Sequence, residues 1–378
     1  MKRIKYISHY GCKDQWRKRD NSPASDTKKE YIFNVLNRCG YAVDHISRAS
    51  GAIPGQYIPS YVEKQGINTF RYFATFGRQE NRILRALNTR FVHLQFFLWL
   101  FFNLKRGEQV IVTHSLGYDS TFIWLKRLKG IKILGDIEDI YQDVHQYNNR
   151  VRRNEYKFIE ICDKYFFVNS MLDERINPNN KPHLTINGIY KVNDFVKESY
   201  NDGKIHIMYG GTFDPVKGGA SAAIKAAEYL PENYHLHITG FGSNEQALNL
   251  SREAEIINVK SKATISFHGF LEDSEFLKLM HHCTIGLCTQ DPSKKLNDTS
   301  FPSKILNYLS NGLVVLTGDN NAIRNSEVGD VVYYYTEQTP HSIANAILSI
   351  KKIDYTIGIN RLRQLDIKFE QDLKGLLE

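Results

Sequence analysis

The chain has 378 residues, with 49 Lys+Arg against 41 Asp+Glu for a net charge of +8, and 42% of its residues are apolar. That length and apolar content predict two domains, each with its own core. The five cysteines (Cys12, Cys39, Cys162, Cys283 and Cys288) are odd in number and lack C-x-x-C spacing, which excludes a cysteine zinc site and predicts a reduced, cytosolic protein.

In chain order, the opening MKRIKYIS turns polar too soon for a secretory leader, so residues 4–8 are predicted as a first strand. A polar loop follows, GCKDQWRKRDNSPAS, then a helix over 26–39 with Asp26 as its cap, then a strand over 41–46. Residues 109–113 predict a strand ending in His114-Ser115, residues 120–129 a helix, and residues 131–134 a strand ending in the acidic group Asp136, Glu138 and Asp139. A helix closing at 158–162 and a strand over 165–168 complete this half. Such alternation predicts a parallel sheet with ligands at the carboxyl ends of its strands. A polar bridge at 197–204 separates it from a second alternating half, and residues 358–378 read as a terminal helix.

Charge is unevenly spread. Residues 1–106 hold 19 Lys+Arg and 7 Asp+Glu, a net of +12, whereas residues 107–200 balance at 13 and 13, and residues 201–378 hold 17 and 21, a net of −4. No helix-turn-helix, zinc-finger or RNP-like motif accompanies the basic region, so a nucleic-acid partner is not expected. An anionic membrane surface or a lipid-diphosphate acceptor fits better. The stretch RQENRILRALNTRFVHLQFFLWLFFNLKR (78–106) carries an apolar run of seven between Arg82, Arg85, Arg90 and Lys105, Arg106. Seven residues cannot span a bilayer, and two readings stay open: a helix lying in the headgroup layer, or a core helix between strands.

Two strand-to-helix junctions suit phosphate. A strand over 205–209 runs into Gly210-Gly211, where backbone can approach a ligand, followed by Thr212, Lys217 and an Ala-rich helix over 220–230. About 90 residues on, Pro302 is a helix start signal, with Ser303 and Lys304 in the first turn. A lysine contact to a charged oxygen is worth roughly 1.5–3 kcal/mol. Gly240-Phe241-Gly242 invites a dinucleotide reading, but Glu245 stands where the third glycine would fall.

The segments GGTFDPVKGG (210–219), ITGFG (238–242), ISFHGFL (265–271), TSFPSKILNYLSNGLVVLTG (299–318) and EVGDVVYY (327–334) follow in order. In this series the chain resembles the family 4 glycosyltransferases of bacterial polysaccharide assembly. The resemblance implies the α/β GT-B fold, with two Rossmann-like parallel-sheet domains facing across a cleft that holds the active site. The implied domains are an acceptor-side domain over 1–196, a nucleotide-sugar-binding domain over 197–357, and a helix over 358–378 crossing back to the first. It implies transfer of a sugar from a nucleoside-diphosphate donor, a UDP-sugar, to a lipid-linked saccharide acceptor in capsule or O-antigen assembly, with retention of configuration. No cofactor or metal is implied, and the expected location is the cytoplasmic face of the cell membrane.

Carried over by position, the donor diphosphate falls to Gly210, Gly211, Thr212, Lys217, Ser303 and Lys304, and the nucleoside to Gly240, the backbone of Phe270 and Leu271, and Asn307. The donor sugar falls to Thr299, Ser300 and Phe301. The family's two glutamates, eight residues apart, are replaced here by Thr299 and Asn307, and its usual histidine by Glu138. Glu138 and Asp139 then become catalytic candidates, as base toward the acceptor or as stabiliser of an oxocarbenium-like sugar. His114, with an imidazole suited to titrate near neutral pH, is the third. The competing readings are that the acidic group caps a helix or pairs with cations, and that His114 is a satisfied turn residue. Two other functions fit the same fold: a nucleotide-sugar-binding subunit without catalysis, and a sugar-nucleotide epimerase.

Overall fold

The computed structural model describes residues 1–12, 15, 18–20, 22–144, 147–293 and 300–378. Thr299, expected at the donor sugar, lies outside the described residues. The chain divides into two compact units, residues 1–186 with 369–378, and residues 187–368. The boundary thus lies ten residues before the expected one. The last helix, Tyr355–Leu377, gives its first part to the second unit and its end to the first.

The first unit holds β1 (Lys2–Ser8), β2 (Tyr41–Ser47), β3 (Tyr57–Ile58), β4 (Tyr61–Gln65), β5 (Asn68–Tyr72), β6 (Thr75–Phe76), β7 (Gln109–Thr113), β8 (Lys132–Ile137), β9 (Lys164–Phe167) and β10 (His183–Thr185). Eight of these form one sheet in the order β10-β9-β8-β7-β1-β2-β5-β4, parallel except for β4. The apolar runs in β1, β7 and β8 are buried on both faces, as a parallel sheet covered by helices requires. From β1 the chain proceeds to β2 on one side and later to β7 on the other, so the switch point lies between β1 and β7.

Two expectations are corrected here. The first helix runs Pro23–Arg38 with Ser22 at the N-cap, because Pro23 is pre-organised for the first turn. Asp26 lies inside that helix, and its Oδ2 accepts from the Gly11 N–H at 3.2 Å. Strands β3 to β6 had no predicted counterpart. Beneath them the buried Arg19 guanidinium donates to the carbonyls of Ala49, Phe73 and Pro59.

Helix Arg82–Asn103 has the buried face that the core-helix reading expects, and it also leaves apolar side chains exposed. Val92, Phe96 and Leu100 are buried on one face. Ile83, Leu84, Leu87, Phe91, Leu94, Leu98 and Phe102 are all exposed on the other. Among the described residues no helix is long and apolar enough to cross a membrane.

The second unit holds β11 (Ile205–Thr212), β12 (Tyr234–Phe241), β13 (Thr264–Gly269), β14 (Ile285–Cys288), β15 (Val314–Gly318) and β16 (Tyr333–Tyr335), all parallel in the order β13-β12-β11-β14-β15-β16. Ile207, Tyr209, Leu236 and Ile238 pack one face against Ala223, Ile224, Ile343 and Ile347. Burying each such aliphatic side chain contributes about 1.5–3 kcal/mol. The switch point here lies between β11 and β14.

Candidate functional site

In the second unit the site is built at that switch point, where open parallel sheets place their ligands. β11 does not stop at Tyr209 as expected. It continues through Gly210, Gly211 and Thr212, which pair with Thr239, Gly240 and Phe241 of β12. This pairing needs glycine at 240, whose φ is +154° and where a Cβ would come 1.7 Å from the Gly211 carbonyl oxygen. The chain then turns over residues 213–217, and Gly218, at φ +64°, caps helix Gly219–Ala226.

Lys304 opens helix Lys304–Ser310. Its ammonium lies 4.1 Å from the centre of the Tyr209 ring, and a Cβ on Gly211 would stand 2.6 Å from Nζ. Gly219 packs against the same tyrosine, so Tyr209, Gly211, Gly219 and Lys304 form one cluster. Among the described residues no carboxylate pairs with Lys304, which is half-buried. A partly desolvated cation beside bare backbone, with no carboxylate partner among the described residues, is suited to an anion.

The remaining donor-side residues differ in availability. The Gly210 N–H is not free, since it donates to the buried Tyr308 hydroxyl at 2.7 Å. Lys217 is exposed and lines a separate hollow of about 300 Å³ with Gly218, Ser221, Lys225, Asp291 and Gln338, which Lys304 does not line. Thr212 and Ser300 are half-buried, Ser303 is exposed, and Phe301 is buried. Asn307 is exposed, with its amide oxygen accepting from Asn311 Nδ2 at 3.2 Å. Gly240 ends against Gly211, while Phe270 is 65% exposed just past β13, with Leu271 half-buried beside it.

In the first unit Glu138, Asp139 and His114 line one cavity of about 110 Å³ at the carboxyl ends of β1, β7 and β8. Lys28 Nζ holds Glu138 Oε1 at 3.0 Å. Burial pushes this carboxyl upward, but the charges of Lys28 and Lys29 and the Lys28 hydrogen bond outweigh it and hold it below its ordinary value. Glu138 is therefore an anion at neutral pH, suited to act as base or as electrostatic partner of a positive sugar, and unsuited to be a proton donor.

His114 is almost wholly buried. Its Nε2 lies 3.5 Å from Asp119 Oδ2 and 3.7 Å from Glu155 Oε1, and its Nδ1 is 3.1 Å from the Asp139 carbonyl oxygen. Burial disfavours the imidazolium, but Asp119, with Glu155, raises its pKa above the ordinary value. Asp136, by contrast, accepts from the Tyr6 and Thr113 hydroxyls at 2.7 and 2.8 Å inside the core.

Sequence reasoning missed His9 and Lys29, which line the same cavity. Burial, then Arg48 and Lys29, press His9 down to about 3, so it is a neutral ring at physiological pH. Its signal was its place, one residue beyond the carboxyl end of the first strand at the switch point.

Residues 191–363 match the family model of glycosyl transferases group 1. No curated protein sequence matches the chain. Among solved structures, α,α-trehalose 6-phosphate synthase from Burkholderia multivorans is similar at 12% identity and TM-score 0.64, over 99% of this chain and 95% of that one. Anabaena Alr3699/HepE, solved in complex with UDP and glucose, is similar at 12% identity and TM-score 0.62, over 100% and 99%. The lipopolysaccharide outer core galactosyltransferase WaaB is similar at 13% identity and TM-score 0.60, over 99% of both chains. The second unit thus carries a match to a glycosyl transferases group 1 domain over residues 191–363, in a chain whose two parallel-sheet units have the GT-B fold.

Proposed function

We propose that the chain moves a sugar from a nucleoside-diphosphate donor, a UDP-sugar, onto a lipid-linked glycan in cell-surface polysaccharide synthesis, with retention of configuration. The observation that carries this reading is Lys304, whose ammonium stands beside Gly211 without a carboxylate partner among the described residues. A departing diphosphate is the anion that such a group neutralises, and no metal ion is needed for that role. UDP is favoured because the Anabaena protein of the same fold was solved with UDP and glucose. Incubating the purified chain with a panel of nucleotide sugars, with and without undecaprenyl-linked saccharides, tests the proposal. Release of UDP from one donor supports it, and release of no nucleoside diphosphate from any donor points to the binding subunit. Solvent hydrogen entering the sugar without an acceptor would point to the epimerase.

The lipid-linked acceptor is supported by helix Arg82–Asn103, which carries a continuous exposed apolar stripe beside Arg82, Arg85 and Arg90, with Lys105 and Arg106 exposed just beyond it. Such a helix suits the headgroup layer of an anionic membrane, which supports the reading of peripheral attachment at the inner face of the cell membrane. Not all of the basic charge of residues 1–106 contributes, because Arg19, Lys28, Lys29 and Arg48 are buried. Exchanging Leu87 and Leu94 together for Asp should lower partition onto vesicles containing phosphatidylglycerol by about a hundredfold, since each loses roughly 1.5 kcal/mol or more of apolar insertion. Co-sedimentation measures this, and unchanged binding would remove the helix from the membrane-facing surface.

A further inference from the structure

The β11–β12–β13 edge of the second unit carries a histidine cluster that the donor site does not use. The face of these strands opposite the apolar core presents His206 on β11, His235 and His237 on β12, and Ser266 and His268 on β13. Period-two alternation puts them together: IHIMY and YHLHI send every second residue to the same side, and the register sets His206 beside His235. One ring nitrogen from each of His206, His235 and His237 lies within 4.8 Å of the others. The cluster is at the amino ends of the strands, the end away from Gly211 and Lys304.

We propose that His206, His235 and His237 bind one divalent transition-metal ion of the Zn²⁺ class.

The hydrogen bonds around the rings favour this. His206 Nε2 donates to Asp202 Oδ1 at 3.0 Å, His235 Nε2 is held by Ser266 Oγ at 2.8 Å, and His237 Nδ1 is held by His268 Nε2 at 3.0 Å. Each ring therefore has an outer partner on one nitrogen, the arrangement that orients metal-ligating imidazoles. The nitrogens left over are Nδ1 of His206, Nε2 of His237 and Nδ1 of His235. The first two already face each other at 2.9 Å. That spacing is short of the roughly 3.3 Å edge expected for two nitrogens about 2.05 Å from one tetrahedral ion, a difference small ring rotations absorb.

His206 and His237 are buried while His235 is only half-buried, so the cluster is reached from the His235 side. Lys204 opposes a cation here, and its ammonium is held by Thr264 Oγ1 at 2.9 Å. The ring of Tyr200 lies tilted against both His206 and His282, with centroids 4.2 and 4.6 Å away, so an ion on His206 would steady a residue that the segment entering β11 packs on. The role is structural and independent of the sugar transfer.

The test uses the tag-free chain, stripped with a chelator and titrated with Co²⁺ and then Zn²⁺. The expected result is one ion per chain, visible absorption of four-coordinate Co²⁺ that Zn²⁺ abolishes, and a thermal midpoint that rises with Zn²⁺. His237→Gln should abolish the absorption, and Asp202→Asn should weaken binding by about 10- to 100-fold. His341→Gln, on helix Pro340–Ser349, should match the wild type. Should His237→Gln fail to fold, the half-buried His235→Gln provides the same measurement. Absence of saturable binding by the wild-type chain overturns the proposal, as does binding that survives in a folded His235→Gln or His237→Gln protein.

Discussion

Replacing Lys304 with Ala should weaken binding of the nucleoside-diphosphate donor by about 10- to 150-fold, the equivalent of roughly 1.5–3 kcal/mol for one charge-assisted contact. The size of the effect follows from the surroundings of the ammonium. It is half-buried, lies over the Tyr209 ring, and among the described residues has no carboxylate whose loss of partner would confuse the result. The fold should be nearly indifferent to the change, because the helix that Lys304 opens is anchored by Ile305, Leu306, Tyr308 and Leu309, and Tyr308 keeps its bond from the Gly210 N–H. Titration calorimetry with UDP and with UDP-sugars reads the affinity, and the thermal midpoint serves as the control. Lys217→Ala is the companion experiment. Lys217 is exposed on the turn and lines a different hollow, so its removal should cost less than that of Lys304. Equal losses would mean that both lysines reach one diphosphate, and an unchanged affinity in Lys304→Ala would remove the switch-point reading.

Much of this arrangement was legible in the sequence, and the exceptions have physical causes. Strands β1, β2, β7, β8, β9 and β11 were visible because each is a short apolar run bounded by polar or glycine residues. What local pattern could not show was pairing. Gly210-Gly211 has the composition of a turn, yet it is strand, because Gly240 on the neighbouring strand leaves space for the Gly211 carbonyl. Strands β3 to β6 were missed because their alternation is weak. Exposed Tyr57, Val62 and Phe76 share the segment with polar residues, and the buried Arg19, some forty to fifty residues distant in sequence from Pro59 and Phe73, supplies hydrogen bonds that no period reveals. The net charge of the first 106 residues overstates their surface charge for a related reason. Lys29 lines the candidate catalytic cavity and Lys28 is buried against Glu138, and only coordinates separate a buried cation from a solvated one. The histidines at 206, 235 and 237 alternate plainly enough, but their convergence depends on the register of β11 with β12.

Lys28 and Glu138 carry the second large expectation. Glu138→Gln should lower kcat by about 10²- to 10⁴-fold, the contribution typical of a positioned acid–base group, with little change in donor affinity. The amide keeps the shape and one hydrogen-bond acceptor for Lys28, but it removes the negative charge that either takes a proton from the acceptor hydroxyl or opposes positive charge growing on the sugar ring. A stability cost accompanies this, because Lys28 is buried and loses its charged partner, and a hydrogen bond to a charged group is worth about 1.5–3 kcal/mol. The pH dependence separates the two effects. The folded-state pKa of Glu138 is lowered, so its stabilising contribution is complete above the unfolded carboxyl value of about 4.3 and disappears as pH falls through the lower folded value. The wild type and Glu138→Gln should therefore differ in thermal midpoint by a constant few degrees at neutral pH and converge in acid, while turnover at pH 7 remains low wherever the variant is folded. If the variant keeps its fold and turns over at the wild-type rate, Glu138 is only the counter-ion of Lys28, and the neutral ring of His9 in the same cavity becomes the group to replace next.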